Sequence, residues 1–136
     1  MDHLLLKIVT PEKEIFSEEV EMITAPTKEG EIGILPHHIS LMSQLKPGEL
    51  RVKQHGKEIV MVVGTGLLQV AGDTVIVATD LAENEAEIDE KAAEEARERA
   101  KAALEQKLDD EEYAVTAAAL EKALAQLKVK RRHHVR

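Results

Sequence analysis

Histidine pairs and acid clusters are the residues of this chain whose types could do chemistry. His37 and His38 are adjacent, as are His133 and His134. Neighbours on an extended segment point to opposite faces, so His37 and His38 are poorly placed to share a metal. No third ligand follows at metal-site spacing, and the chain has no cysteine. That pair reads better as a turn facing solvent or a partner. Glu94, Glu95 and Glu98 read as the solvated face of a helix rather than as paired catalytic carboxylates. No glycine-rich phosphate loop or nucleophile elbow can be assembled. The residues therefore point away from an enzyme.

Charge is more informative. The formal net charge is −8, which argues against a nucleic-acid binder. Phe16 and Tyr113 are the only aromatic residues, so stacking platforms for bases are missing as well. Against this background the end of the chain is basic: Lys128, Lys130, Arg131, Arg132 and Arg136 occur with no acid among them. Such a cluster complements the C-terminal end of a helix. It equally suits an acidic protein partner, which it would steer electrostatically. Both explanations stand at this point.

The elements that must position these groups fall into two kinds. Leu4, Leu6 and Ile8 alternate with Leu5, Lys7 and Val9, and Val20, Met22 and Thr24 with Glu19, Glu21 and Ile23. Leu50 and Val52 lead through Gln54-His55-Gly56-Lys57 into Ile59, Met61 and Val63. A further hairpin turns at Gly72-Asp73, and Gly64 and Gly66 mark a bend. Short strands with glycine turns are the pattern of a sandwich or barrel. From Ala92 to Ala125 there are twelve alanines and few β-branched residues, which favours helix. Ala92, Ala96, Ala100, Leu104 and Leu108 suggest one apolar seam; Tyr113, Ala117, Leu120, Leu124 and Leu127 suggest a second. Asp89 suits a helix N-cap, with Ile88 and Ala93 placed as a hydrophobic staple, and Asp109 or Asp110 suits the next.

The expected fold is α+β. An N-terminal antiparallel β-sandwich, or flattened barrel, spans 1–83, and a C-terminal antiparallel α-helical hairpin spans 84–136. Alanine seams bury little area, so the hairpin is expected to be marginal when undocked. No apolar run approaches the ~20 residues needed to cross a bilayer, and Met1-Asp2-His3 lacks a signal-peptide pattern. Membrane association is expected only through partners.

Several stretches together carry a family resemblance. They are Thr10-Pro-Glu-Lys-Glu-Ile-Phe-Ser, Ala25-Pro-Thr-Lys-Glu-Gly-Glu-Ile-Gly-Ile-Leu-Pro-His-His, Leu45-Lys-Pro-Gly-Glu-Leu, and Ile88-Asp89 before an alanine-rich C-terminus. With these the chain resembles the epsilon subunits of bacterial F-type ATP synthases, called delta in mitochondria. The resemblance implies a non-catalytic rotor subunit of a proton-translocating synthase, peripheral on the cytoplasmic face of the cell membrane. Implied partners are the gamma subunit, the c-subunit ring, and the alpha and beta subunits, with His37, His38, Lys128, Lys130, Arg131 and Arg132 as contacts. It implies ATP as a regulatory ligand, with or without Mg2+, and a hairpin that limits ATP hydrolysis when extended.

Relatives open the first helix with Ile/Leu-Asp-x-x-Arg-Ala. Here Ile88, Asp89 and Ala93 match, but the arginine position holds Ala92. Glu83, Arg99 and Lys122 complete the implied nucleotide set. An alanine cannot make the paired, charge-assisted hydrogen bonds an arginine offers to phosphate. Two further classes remain: a stand-alone ATP-binding sensor, and a small hydrolase using the Glu-rich helix with His37 or His38.

Overall fold

The structure is a computed structural model and describes residues 3–37 and 40–134. Ten strands come first: β1 (Leu4–Val9), β2 (Glu14–Val20), β3 (Met22–Thr27), β4 (Gly30–Ile34), β5 (Leu41–Leu45), β6 (Gly48–Gln54), β7 (Lys57–Val63), β8 (Gly66–Ala71), β9 (Thr74–Thr79) and β10 (Ala82–Asn84). One 3-10 turn, Glu85–Glu87, leads to α1 (Glu90–Leu104) and α2 (Asp110–His134). The sheet runs β10-β7-β6-β3-β5-β8-β9-β1-β2, with β4 paired to β3. Its far end curls back. Glu21 N–H donates to the Lys53 carbonyl at 2.8 Å, and Gln54 Nε2 to the Glu19 carbonyl at 2.9 Å. The result is a nearly closed sandwich.

Turn chemistry sets the register. His55 and Gly56 both have positive φ, 53° and 74°, the conformation a two-residue hairpin needs between β6 and β7. Inside, Leu4, Leu6, Ile8, Leu50, Val52, Leu68, Val75 and Val77 are fully or almost fully buried. Alternation put these residues on the inner face, as expected for strands buried on one side.

Three expectations change. The sandwich is not wholly antiparallel, because β1 lies parallel to β9, Leu5 opposite Thr74 through Val9 opposite Ala78. Parallel neighbours need a long crossover, which β2 to β8 provide. The run Glu19–Thr24 is not one strand either. A bend at Glu21 shifts the phase, so that Ile23 is buried while Met22 and Thr24 are only half-buried. A one-residue shift exchanges the faces of a strand.

The helical seams shift too. Ala93 and Ala100 are buried on α1, whereas Ala92 is exposed and Leu108 lies beyond the helix end. Residues four apart advance about 400° on a 3.6-residue turn, so a strict every-fourth row drifts off its face. On α2, Ala123, Leu127 and Val129 are buried, but Tyr113 and Leu124 are exposed. The helix starts match their expected caps. Asp89 Oδ1 accepts from Ala92 N–H at 3.1 Å. Asp109 rather than Asp110 caps α2, accepting from Glu112 N–H at 2.7 Å while Glu112 Oε1 accepts from Asp109 N–H.

Candidate functional site

The face where α2 meets the sandwich begins with a row across three strands. Glu83 on β10 sits opposite Val62 on β7, and Val62 sits opposite Glu49 on β6. The neighbours Leu50, Met61 and Val63 point into the core, so this row points outward. Helix α2 covers it with residues three apart. Gln126 Nε2 donates to Glu83 Oε1 at 2.6 Å, Val129 is buried in one cluster with Val62 and Ile88, and Arg132 Nη2 donates to Glu49 Oε1. Lys128 Nζ lies 4.0 Å from the second Glu49 oxygen. Polar, apolar and charged positions on the helix therefore each meet their own kind on the sheet.

The other tail cations are held just as locally. Lys130 Nζ lies 3.4 Å from Glu85 Oε1 and donates to the Glu85 carbonyl. Arg131 bridges to α1, reaching Glu90 at 3.2 Å and Glu94 at 2.6 Å. Hydrogen bonds to Glu90 and then Glu94 push the Arg131 guanidinium above its ordinary value. Thus Lys128, Lys130, Arg131 and Arg132 all face acids of this chain in the docked hairpin. Sequence reasoning weighed a helix-dipole role against a partner role and missed this third one. Leu50 and Val52 facing inward would place Glu49 outside, but nothing local says that the outside is covered.

The implied nucleotide positions lie around the start of α1 without forming a phosphate cradle. Ile88 and Ala93 are buried, and Asp89 is committed to its cap. Glu83 is engaged by Gln126, and Ala92 is exposed with only a methyl group to offer. Arg99 is exposed on α1, and Lys122 lines a cleft on the sandwich side of α2. In the docked hairpin Arg99 and Lys122 form no hydrogen bond or ion pair with the other positions of the set. Ala92→Arg is expected to tighten ATP binding about tenfold in calorimetric titration, since hydrogen bonds to charged groups contribute ~1.5–3 kcal/mol. Equal affinities before and after would show that position 92 is not where ATP is held.

At the opposite end, His37 has φ 67°, its N–H donates to Asp73 Oδ1 at 2.9 Å, and its ring is exposed. This ties the loop after β4 to the turn before β9. His38 lies outside the described residues. Elsewhere on the sandwich, Glu31 accepts two hydrogen bonds from Arg51, at 3.0 and 3.2 Å, raising the Arg51 guanidinium above its ordinary value. Among the described residues no three metal-capable side chains come together, and no helix is long and apolar enough to cross a membrane.

The protein is thus a β-sandwich with a hairpin of charged helices docked on its outer face. Comparison with known proteins places it more closely: residues 3–85 match the ATP synthase delta/epsilon chain beta-sandwich domain, and residues 86–131 the delta/epsilon chain long alpha-helix domain. The chain belongs to the ATP synthase delta/epsilon chain family. It is 46% identical over 137 residues to the ATP synthase epsilon chain of Dehalococcoides mccartyi, covering 98% of both chains. The epsilon chain of Laribacter hongkongensis is 40% identical over 130 residues, with 94% of this chain and 93% of that one covered. Among solved structures, a chain of the Euglena gracilis mitochondrial ATP synthase OSCP/F1/c-ring assembly superposes with a TM-score of 0.78. The two are 30% identical, and 94% of this chain and 81% of that one are covered. A chain of the Tetrahymena thermophila mitochondrial ATP synthase central stalk and c-ring shares the fold at 18% identity and a TM-score of 0.68.

Proposed function

We propose that this chain is a non-catalytic subunit of the central stalk of a proton-translocating ATP synthase, coupling the rotor to the catalytic head. In this role residues 1–83 form the anchor and residues 84–136 the regulatory arm. Exposed Met42 and Leu67 lie diagonally across β5 and β8, an apolar outer face suited to the gamma subunit. The loop that carries exposed Leu35 and His37 suits the c-subunit ring, which would keep the chain peripheral, at the cytoplasmic face of the membrane. The hairpin would restrain ATP hydrolysis when it leaves the sandwich and offers its cations to acidic surface on the alpha and beta subunits. ATP, with or without Mg2+, would bias that choice by favouring one position of the hairpin.

The observation that carries this reading is the pairing of every tail cation from Lys128 to Arg132 with an acid of the same chain. Contacts made in water between partly exposed charges exchange readily for contacts with another acidic surface. Two variants in the assembled complex test it. Glu49→Lys repels Arg132 and Lys128, frees the arm with its charges intact, and should lower ATP hydrolysis severalfold. Alanine at Lys128, Lys130, Arg131 and Arg132 frees the arm but disarms it, and should raise hydrolysis above wild type. That rise should shrink in 1 M salt, where the Debye length is ~3 Å. Identical hydrolysis by both variants at low salt would remove the regulatory role and leave only the stalk role.

A further inference from the structure

The loop that carries Leu35 and His37 is held in shape from outside itself. Between Ile34 and Leu41 the chain crosses from β4, paired with β3, to β5, paired with β8. On the way His37 adopts φ 67°. Residues with a side chain seldom take that conformation, and they keep it where their surroundings over-determine it. Here a carboxylate from another turn does so. Asp73 Oδ1 accepts the His37 N–H at 2.9 Å and lies 3.7 Å from the ring Nδ1. Asp73 is a firm point to hold from. It belongs to the two-residue turn between β8 and β9, where Gly72 supplies the positive φ of 60°. Its own carbonyl accepts the Leu5 N–H at 2.7 Å, which ties the turn to β1 as well.

We propose that Asp73 is a positioning residue for partner binding, setting the conformation in which Leu35 and His37 are presented to the c-subunit ring. The proposal rests on the reading that this loop meets the ring. Leu35 is 55% exposed and the His37 side chain 67%, so both stand in water before assembly. A loop free to sample other shapes loses that freedom on binding, and a contact made in advance removes part of that cost. The acceptor oxygen, rather than the charge, is the working part. The 2.9 Å bond is to a backbone N–H, which donates whatever the state of the imidazole. The ring contact is longer than a hydrogen bond, and exposed ion pairs contribute little. An asparagine oxygen in the same place would serve, and an alanine would not. Such an exposed bond also adds little to the stability of the whole sandwich. Its effect belongs in binding, not in melting.

The test reads binding of the full chain, in complex with the gamma subunit, to detergent-solubilised c-subunit rings. Asp73→Ala should weaken binding roughly threefold to tenfold, the scale of ordering one or two loop side chains. Asp73→Asn should bind as the unaltered chain does, and the melting temperatures of both should stay close to its own. Amide hydrogen exchange at His37 should be slow in the unaltered chain and in Asp73→Asn, and fast in Asp73→Ala. Leu35→Ala separates this proposal from the reading beneath it. Unchanged binding by Leu35→Ala would overturn the reading that the loop meets the ring, and the proposal with it. Weaker binding by Leu35→Ala with none lost by Asp73→Ala would leave that reading standing and overturn the role of Asp73 alone. Equal losses in Asp73→Ala and Asp73→Asn would overturn it too. So would fast exchange of the His37 amide in the unaltered chain, a measurement that needs no variant to fold.

Discussion

Replacing Lys128 and Arg132 together by alanine is expected to strip hydrogen-exchange protection from α2, while Glu49→Leu leaves it in place. The asymmetry follows from where each partner sits. The Glu49 side chain is 8% exposed, whereas Arg132 is 42% and Lys128 71% exposed. Removing both cations leaves a covered carboxylate with no cation paired to it, Arg51 nearby on β6 being held by Glu31. Breaking a fully buried pair in this way costs about 3–5 kcal/mol. Water reaches the cationic side here, so the cost of about 1–3 kcal/mol for a covered polar group left without its partner is the fitting range. At 1.4 kcal/mol per factor of ten, protection across Ala117–Arg131 should fall by roughly 5- to 150-fold. Glu49→Leu removes the buried charge, extends the apolar strip of Val62 and Val129, and leaves two cations that solvent can hold. Unchanged protection in the double variant would mean that the apolar strip alone fixes the helix.

Gly66→Ala is expected to unfold the sandwich or lower its melting temperature by roughly 10–25 °C. A Cβ built at Gly66 would stand 1.9 Å from the Ala78 carbonyl oxygen and 2.8 Å from the Thr79 Cα. Both are backbone atoms of β9, which Gly66 pairs, so neither can swing aside. Overpacking typically costs 1–3 kcal/mol and more where nothing yields. About 3 kcal/mol would then be a large share of a small domain's 5–15 kcal/mol, and each kcal/mol moves its melting point by ~4–8 °C. Gly72→Ala is the control: its φ of 60° imposes strain, but nothing lies within 4 Å of an added Cβ. That change should cost only ~1 kcal/mol. Similar melting temperatures for the two variants would refute the packing argument at Gly66.

Strand faces were legible in the sequence wherever alternation ran unbroken, as in Leu4–Ile8 and Leu50–Val52. They were not legible across Glu21, because one bent residue reverses the phase without changing composition. Helix existence and caps were legible from alanine content, Asp89 and Asp109. The seams were not, since alanines occupy both exposed and buried positions of α1 and their row at intervals of four drifts across the buried line through Ala93 and Ala100. Least legible was the docking row. Glu83, Val62 and Glu49 come from three strands, and their alignment depends on the register of β10, β7 and β6.

The parallel pairing of β1 with β9 has a consequence for the order of biosynthesis. β1 leaves the ribosome well before β9, so its neighbour on one side does not exist until Thr74–Thr79 has been made. At ~5–20 residues per second, that interval is roughly 3–13 seconds. During it Leu4, Leu6 and Ile8 can pair with β2 but keep one edge open, and an open apolar edge is a template for wrong partners. Lys7 lies within that edge, and Glu18 and Glu19 line the strand beside it, charges that discourage another chain from adding on. A seam that can close only late in synthesis is thus the one whose nascent edge carries its own deterrent.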